Sequence, residues 1–135
     1  DNTVAPYDCE LPDEKLIGYI RSLREAGIDV TLVSNNSAIR VKRFNESLGL
    51  FCVADAGKPS AKGILRCIEQ GRQDTAAALV GDQIFTDCLA ARRAGVSCFL
   101  VDPLQPKEGL FFRFKRLCEK PFIKRYIRKA AKEKL

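Results

Sequence analysis

The sequence predicts an α/β fold: a parallel sheet with helices on both faces, followed by a basic helical tail. Three observations carry that expectation. Helical and strand patterns alternate from Pro12 to Val101, as they do when parallel strands are joined by helical crossovers. The strand candidates end in polar clusters, at the edge where open α/β sheets gather their ligand-binding groups. Length and composition suit one packed core: 135 residues, 46% apolar, with no apolar run near the ~20 residues of a membrane span.

Asp1-Asn2-Thr3 leads into a loop through Pro6 and Asp8. Pro12-Asp13-Glu14 suits a helix start, with proline and acids in the first turn. Leu16, Ile17, Ile20 and Leu23 keep helical spacing, and Gly27 stops that helix. Ile28 to Val33 is β-branched and aliphatic, a strand ending in the polar turn Ser34-Asn35-Asn36. Ser37 can cap a second helix that runs to Leu48 and stops at Gly49. Phe51 to Ala54 is expected to be a short buried strand, with Lys58-Pro59 in the loop after it. Ser60 can cap a helix over Ala61 to Gln70, which Gly71 ends. Ala76 to Val80 reads as a buried strand, Cys88 to Ala94 as a helix, and Val96 to Val101 as the last strand before Asp102-Pro103.

Charge divides the chain. Residues 107–135 hold eleven Lys or Arg and three Glu, whereas residues 1–106 hold twelve basic and fourteen acidic residues. We therefore expect a core domain over 1–106 and a tail over 107–135. In the tail, Leu110, Phe111, Phe114, Leu117 and Cys118 form one apolar stripe. Phe122, Ile123, Tyr126, Ile127 and Ala130 form another beyond Pro121. These suit two basic amphipathic helices, or a pair bent at Pro121. Such a tail could lie on an anionic membrane, with Phe122 to Leu135 the better candidate. Alternatively, Phe111, Phe114 and Leu117 cover the domain's own sheet. RNA is a weaker third partner, because no RNA-binding motif is present.

The six cysteines, at 9, 52, 67, 88, 98 and 118, form no CxxC pair. They read as small buried apolar residues in a reducing compartment, not as a disulfide frame or a zinc site. That points to the cytoplasm, or to an organelle matrix if the source is eukaryotic, with peripheral attachment to the inner membrane face if the tail binds lipid.

Chemistry concentrates at Val80-Gly81-Asp82-Gln83-Ile84-Phe85-Thr86-Asp87. A strand delivering two carboxylates to its loop, in a chain with no histidine, suits a hard cation such as Mg²⁺. The plainer alternative is that Asp82 ends a strand and Asp87 caps a helix. Ser34, Asn35 and Lys58 stand at the ends of neighbouring strand candidates. Acids for a metal, a hydroxyl and an amide for hydrogen bonds, and a lysine for charge together suit phosphoryl transfer. Taken singly, Ser34-Asn35 could be a turn and Lys58 a solvated loop charge. Lys62 rivals Lys58 but falls within a predicted helix.

Asp1-Asn2-Thr3, Val33-Ser34-Asn35-Asn36, Lys58-Pro59 and Gly81-Asp82-Gln83-x-x-Thr86-Asp87 resemble, in order, the four motifs of haloacid dehalogenase (HAD) superfamily phosphatases. The closer resemblance is to the subclass IIIA group called YqeG-like, related to phosphatidylglycerophosphate phosphatases. Lys107-Glu108-Gly109-Leu110-Phe111 also fits that group. The resemblance implies a three-layer Rossmannoid fold, and the chain has no insertion long enough for a cap domain. The implied activity is Mg²⁺-dependent hydrolysis of a phosphate monoester through an aspartyl phosphate. Phosphatidylglycerophosphate is the leading substrate, ahead of a soluble sugar or nucleotide monophosphate.

The family's first motif is Asp-x-Asp-x-Thr/Val, and Asp1 matches its second aspartate. The nucleophile is then expected two residues before Asp1, at the end of a central strand outside this sequence. A chain beginning at Asp1 should be catalytically dead, leaving a binding module for membrane or RNA. By the resemblance, Asp1 is the general acid and base and lends its backbone carbonyl to the metal. Ser34, with Asn35 assisting, binds a phosphoryl oxygen, and Lys58 offsets charge. Asp82 holds Mg²⁺ directly, and Asp87 holds it through water or orients Lys58.

Overall fold

The first helix, α1 (Glu14–Glu25), starts where Asp13 Oδ1 accepts the Leu16 N–H at 2.7 Å, which satisfies one of the amides a helix start leaves unpaired. The computed structural model describes residues 2–6, 8–71, 76–105 and 110–133, the last without the side chains of 111, 112, 116 and 130–133. Asp1 therefore lies outside the described residues. Helix and strand alternate as expected through β1 (Thr31–Val33), α2 (Ala38–Asn45), β2 (Phe51–Val53), α3 (Lys62–Gln70) and β3 (Ala78–Gly81). A single π-helical turn, Ile84–Cys88, then runs into α4 (Leu89–Ala94), followed by β4 (Ser97–Leu100) and α5 (Leu110–Glu133).

The strands pair in parallel, which bears out the α/β class, but as two ladders instead of one continuous sheet. Thr31, Leu32 and Val33 pair with Phe51, Cys52 and Val53; Ala78 to Gly81 pair with Ser97 to Leu100. Ser34 N–H donates to Val53 O at 2.9 Å, so alternation turns the main-chain groups of Thr31 and Val33 to the opposite edge. Likewise Gly81 O accepts from Val101 N at 2.9 Å, which turns Ala78 and Val80 away from β4. The facing edges of β1 and β3 thus have no ladder partner among the described residues.

Packing brings the two ladders together. Val33 of β1 and Leu79 of β3 both pack on Ile64, Ala90 and Ala91 of α3 and α4. Val33 also joins Val53, Ala56 and Cys67. Close approach of α3 depends on Gly63: a methyl there would stand 2.8 Å from Ala56 Cβ and 3.1 Å from Val33 Cγ2. On the other side Ile20, Leu48 and Leu50 form a core with Leu16, Ile17 and Phe44.

Several expectations need correction. Helix α2 stops at Asn45, short of Gly49, because the Asn45 carboxamide takes over the turn: Oδ1 accepts from Leu50 N at 3.1 Å and Nδ2 donates to Leu50 O at 2.6 Å. Strand β3 is not buried on both faces; Leu79 faces the core, while Val80 and its ladder partner Phe99 are exposed. The strand β2 is exposed at Phe51 and buried only at Val53. Of the free cysteines, Cys67 is buried and Cys9 is exposed. Cys98 lies 3.1 Å from Cys88, and desolvation pushes its thiol up to about 12. The tail is one helix with Pro121 inside it, not two. Its Phe114 and Leu117 are exposed. The chain divides into two units, Asp1–Gln105 and Pro106–Leu135.

Candidate active site

Ser34 continues the β1 ladder for one residue before the chain turns. Its Oγ accepts the Asn36 N–H at 3.1 Å, a local side-chain turn. That engages an oxygen lone pair and leaves the hydroxyl hydrogen as a donor. The loops after β1 and β2 are laced together: Ala56 N–H donates to Ser34 O and Asp55 N–H to Asn36 O, each at 2.9 Å. Positive φ at Asp55 and Gly57 turns the second loop back, to the cis Lys58–Pro59 peptide.

Lys58 is held at both ends. Its backbone N–H donates to Asn35 Oδ1 at 2.7 Å, and Asn35 Nδ2 donates to Lys58 O at 2.9 Å. Arg93 Nη1 donates to Pro59 O at 2.8 Å. The ammonium reaches inward, to Asp87 Oδ1 at 2.7 Å and Val33 O at 3.2 Å. This ion pair is largely out of water, with the two side chains 13% and 5% exposed. Lys58 is therefore not a solvated loop charge. Lys62 opens α3 as an exposed residue.

The π-helical turn sets the position of Asp87. Gln83 O accepts both Asp87 N and Cys88 N, at 2.9 and 3.2 Å. The carboxylate folds back so that Oδ2 accepts the Gln83 N–H at 3.1 Å. Asp87 thus serves Lys58 and its own turn and is no helix cap. It packs directly over Gly81, where an added Cβ would collide with Asp87 Cβ. Gly81→Ala should therefore displace the carboxylate, costing about 1–3 kcal/mol as an overpacked site. Urea unfolding would check this: an unchanged midpoint would mean that the contact relaxes freely.

Asp82, 1% exposed, receives the Thr3 hydroxyl on Oδ1 at 2.9 Å. Asn2, fully buried, fixes that N-terminal segment: Nδ2 donates to Gln105 O at 2.6 Å and Oδ1 accepts from Gln105 N at 2.8 Å. The described residues thus bring Ser34, Lys58, Asp82, Asp87 and Thr3 to the carboxyl ends of β1, β2 and β3. Asn35 points into the Lys58 loop. Sequence reasoning missed Asn2, Arg93 and the role of Gly81; only Gly81, a glycine directly before the acid, left a readable sign.

Two carboxylates against one ammonium leave these three side chains with a net negative charge, and all their donor atoms for a metal are hard oxygens. That set fits a cation such as Mg²⁺ in kind. No cluster of three or more His, Cys, Asp or Glu that could hold a metal forms among the described residues.

Parallel strands that deliver a hydroxyl, a buried lysine–aspartate pair and a Gly-Asp to one edge define a hydrolase of the haloacid dehalogenase type. The chain belongs to that family: the haloacid dehalogenase-like hydrolase model matches residues 3–95, which include Ser34, Lys58, Asp82 and Asp87. The chain is also 36% identical, over 132 residues, to a protein of Bacillus subtilis (strain 168) named "Probable phosphatase YqeG". That match covers 96% of this chain and 76% of the relative.

Proposed function

We propose that the protein is a Mg²⁺-dependent phosphatase that hydrolyses a phosphate monoester through an aspartyl phosphate, with phosphatidylglycerophosphate as the leading substrate. The observation that carries this reading is the buried Lys58–Asp87 pair beside Asp82, with Ser34 at the end of the adjoining strand. The name of the Bacillus subtilis relative supports it.

The proposed nucleophile is the carboxylate two positions before Asp1. The edges of β1 and β3 that have no ladder partner among the described residues suit an extended segment lying between them and ending there. As the carboxylate attacks phosphorus, the bond to the leaving oxygen breaks and Asp1 protonates that oxygen. Asp1 then takes a proton from the water that cleaves the acyl phosphate. The Ser34 hydroxyl donates to a phosphoryl oxygen. Lys58 has three N–H donors, two of them directed at Asp87 and Val33, and the third serves the phosphoryl group. Asp82 and the Asp1 carbonyl would hold the metal directly, and Asp87 would hold it through water or orient Lys58. When bound, it would neutralise charge between anionic phosphate and carboxylate. Asn35 acts through Lys58, as a positioning residue. Asn35→Ala should lower kcat/KM roughly 10- to 100-fold by loosening the loop, read in the phosphate-release assay.

The lipid assignment draws on the chain's economy. Only α1 lies between Asp8 and Ser34 before β1, and only α2 and β2 lie between Asn36 and Lys58, so neither stretch holds a cap domain, which suits a large substrate. The test is phosphate release by protein carrying the residues before Asp1, from phosphatidylglycerophosphate in mixed micelles and from soluble sugar and nucleotide monophosphates. Chelation of Mg²⁺ should reduce turnover by at least about 100-fold. Release from soluble esters alone would overturn the lipid assignment; release from no ester would overturn the phosphatase reading.

A further inference from the structure

Helix α5 carries nine Lys or Arg against two Glu, and it presents large apolar side chains to water. Leu110, Phe114 and Leu117 recur at i, i+4 and i+7 and are 84%, 65% and 61% exposed. The same line of the helix continues through Pro121 to Lys124, Arg125 and Arg128, all exposed. Phe122 and Tyr126, at i and i+4, are exposed on a second line, as is Ile127 nearby. Water solvates the charges well and the aromatic and aliphatic groups poorly. A partner for both must be apolar inside and negative at its surface.

We propose that α5 is a peripheral docking helix for an anionic lipid bilayer. Leu110, Phe114 and Leu117 enter the acyl boundary, and Lys124, Arg125 and Arg128 reach the lipid phosphates. Charge complementarity commits the proposal to anionic lipid, because the exposed Arg113, Lys120, Lys124, Arg125, Arg128 and Lys129 have little to gain from a zwitterionic surface. Long basic side chains reach back to the headgroup level while their stems stay in the apolar layer. None of the described helices is long and apolar enough to cross a membrane, so the helix lies along the surface. An RNA backbone would satisfy the charges but would leave the Leu110 and Leu117 stripe exposed. The docking does not depend on the phosphatase reading and can succeed or fail without it.

The full chain would be sedimented with vesicles of phosphatidylcholine alone or with about 30% phosphatidylglycerol, since attraction requires anionic lipid. Partition onto the anionic vesicles should be at least about tenfold stronger and should weaken as salt rises. F114S/L117S should reduce it at least about tenfold by removing buried apolar area, with Tm unchanged. K124E/R128E should do the same through charge. Equal or absent binding to both vesicle types would overturn the proposal. So would an F114S/L117S protein that loses Tm but keeps vesicle binding, because its stripe would then belong to the protein's own packing. Tighter binding to a single-stranded RNA than to anionic vesicles would transfer the helix to nucleic acid.

Discussion

Lys58→Met should remove stability and activity together, and a second substitution should return only the first. The ammonium is the cationic partner of a carboxylate that is 5% exposed. Methionine keeps much of the side-chain volume but strands the Asp87 charge out of water. Breaking a buried pair on one side costs about 3–5 kcal/mol. It also removes the cation proposed to meet the phosphoryl oxygens, a loss of roughly 100- to 1,000-fold in turnover if it resembles loss of a preorganised electrostatic donor. Lys58→Met with Asp87→Asn removes the stranded charge. The carboxamide oxygen so introduced can still accept the Gln83 N–H that now meets Asp87 Oδ2. We expect the double variant to recover most of the lost stability and none of the activity, measured by urea unfolding and phosphate release. Equal instability of the single and double variants would show that Lys58 stabilises the fold by packing and not by neutralising Asp87.

The order of elements was legible because periodicity reports which face of each segment is covered. α1, α3 and the strand cores follow directly from apolar spacing. Ends were less legible, because tertiary partners decide them. Asn45 closes α2 early through hydrogen bonds to Leu50, and nothing in the local pattern competes visibly with Gly49 as the stop. The run from Ala76 to Val80 reads as buried on both faces, yet Val80 and Phe99 are exposed together. Apolar content shows that a strand can be covered, not what covers it. The sequence suggests two helices or a pair bent at Pro121, but α5 continues through it; proline disfavours a helix interior without forbidding it.

The site was more legible than the fold's boundaries. Ser34, Lys58, Asp82 and Asp87 belong to strand ends, and a parallel sheet brings strand ends together whatever the loop details. Their second partners were not legible. That Asn35 grips the Lys58 backbone depends on how the loop after β1 meets the loop after β2, across 23 positions of sequence. The Arg93 bond to Pro59 spans 34 positions. Such contacts are set by loop geometry, for which no residue type is diagnostic.

Asn2 is the extreme case, and its replacement should have the largest effect on stability of any uncharged side chain near the site. It is fully buried, and both ends of its carboxamide bond to the Gln105 backbone, across 103 positions. Its backbone adds two more ties, to Ala5 O and from Leu104 N. Alanine would remove both bonds to the part-buried Gln105 backbone, at up to about 1–3 kcal/mol each. It would also hold a residue with a Cβ at φ 61°, which asparagine tolerates better than alanine. We expect a loss of roughly 2–5 kcal/mol for Asn2→Ala. Asn2→Gly separates the two causes, since glycine relieves the backbone but not the lost bonds. It should recover about 1 kcal/mol of that loss. Thermal unfolding of the two variants decides the matter. If glycine matches the native protein, the backbone was the whole effect and the carboxamide bonds contribute nothing. If both variants are strongly destabilised, as we expect, Asn2 is what fixes Thr3 against Asp82. Phosphate release should then fall in both variants even at temperatures where they remain folded.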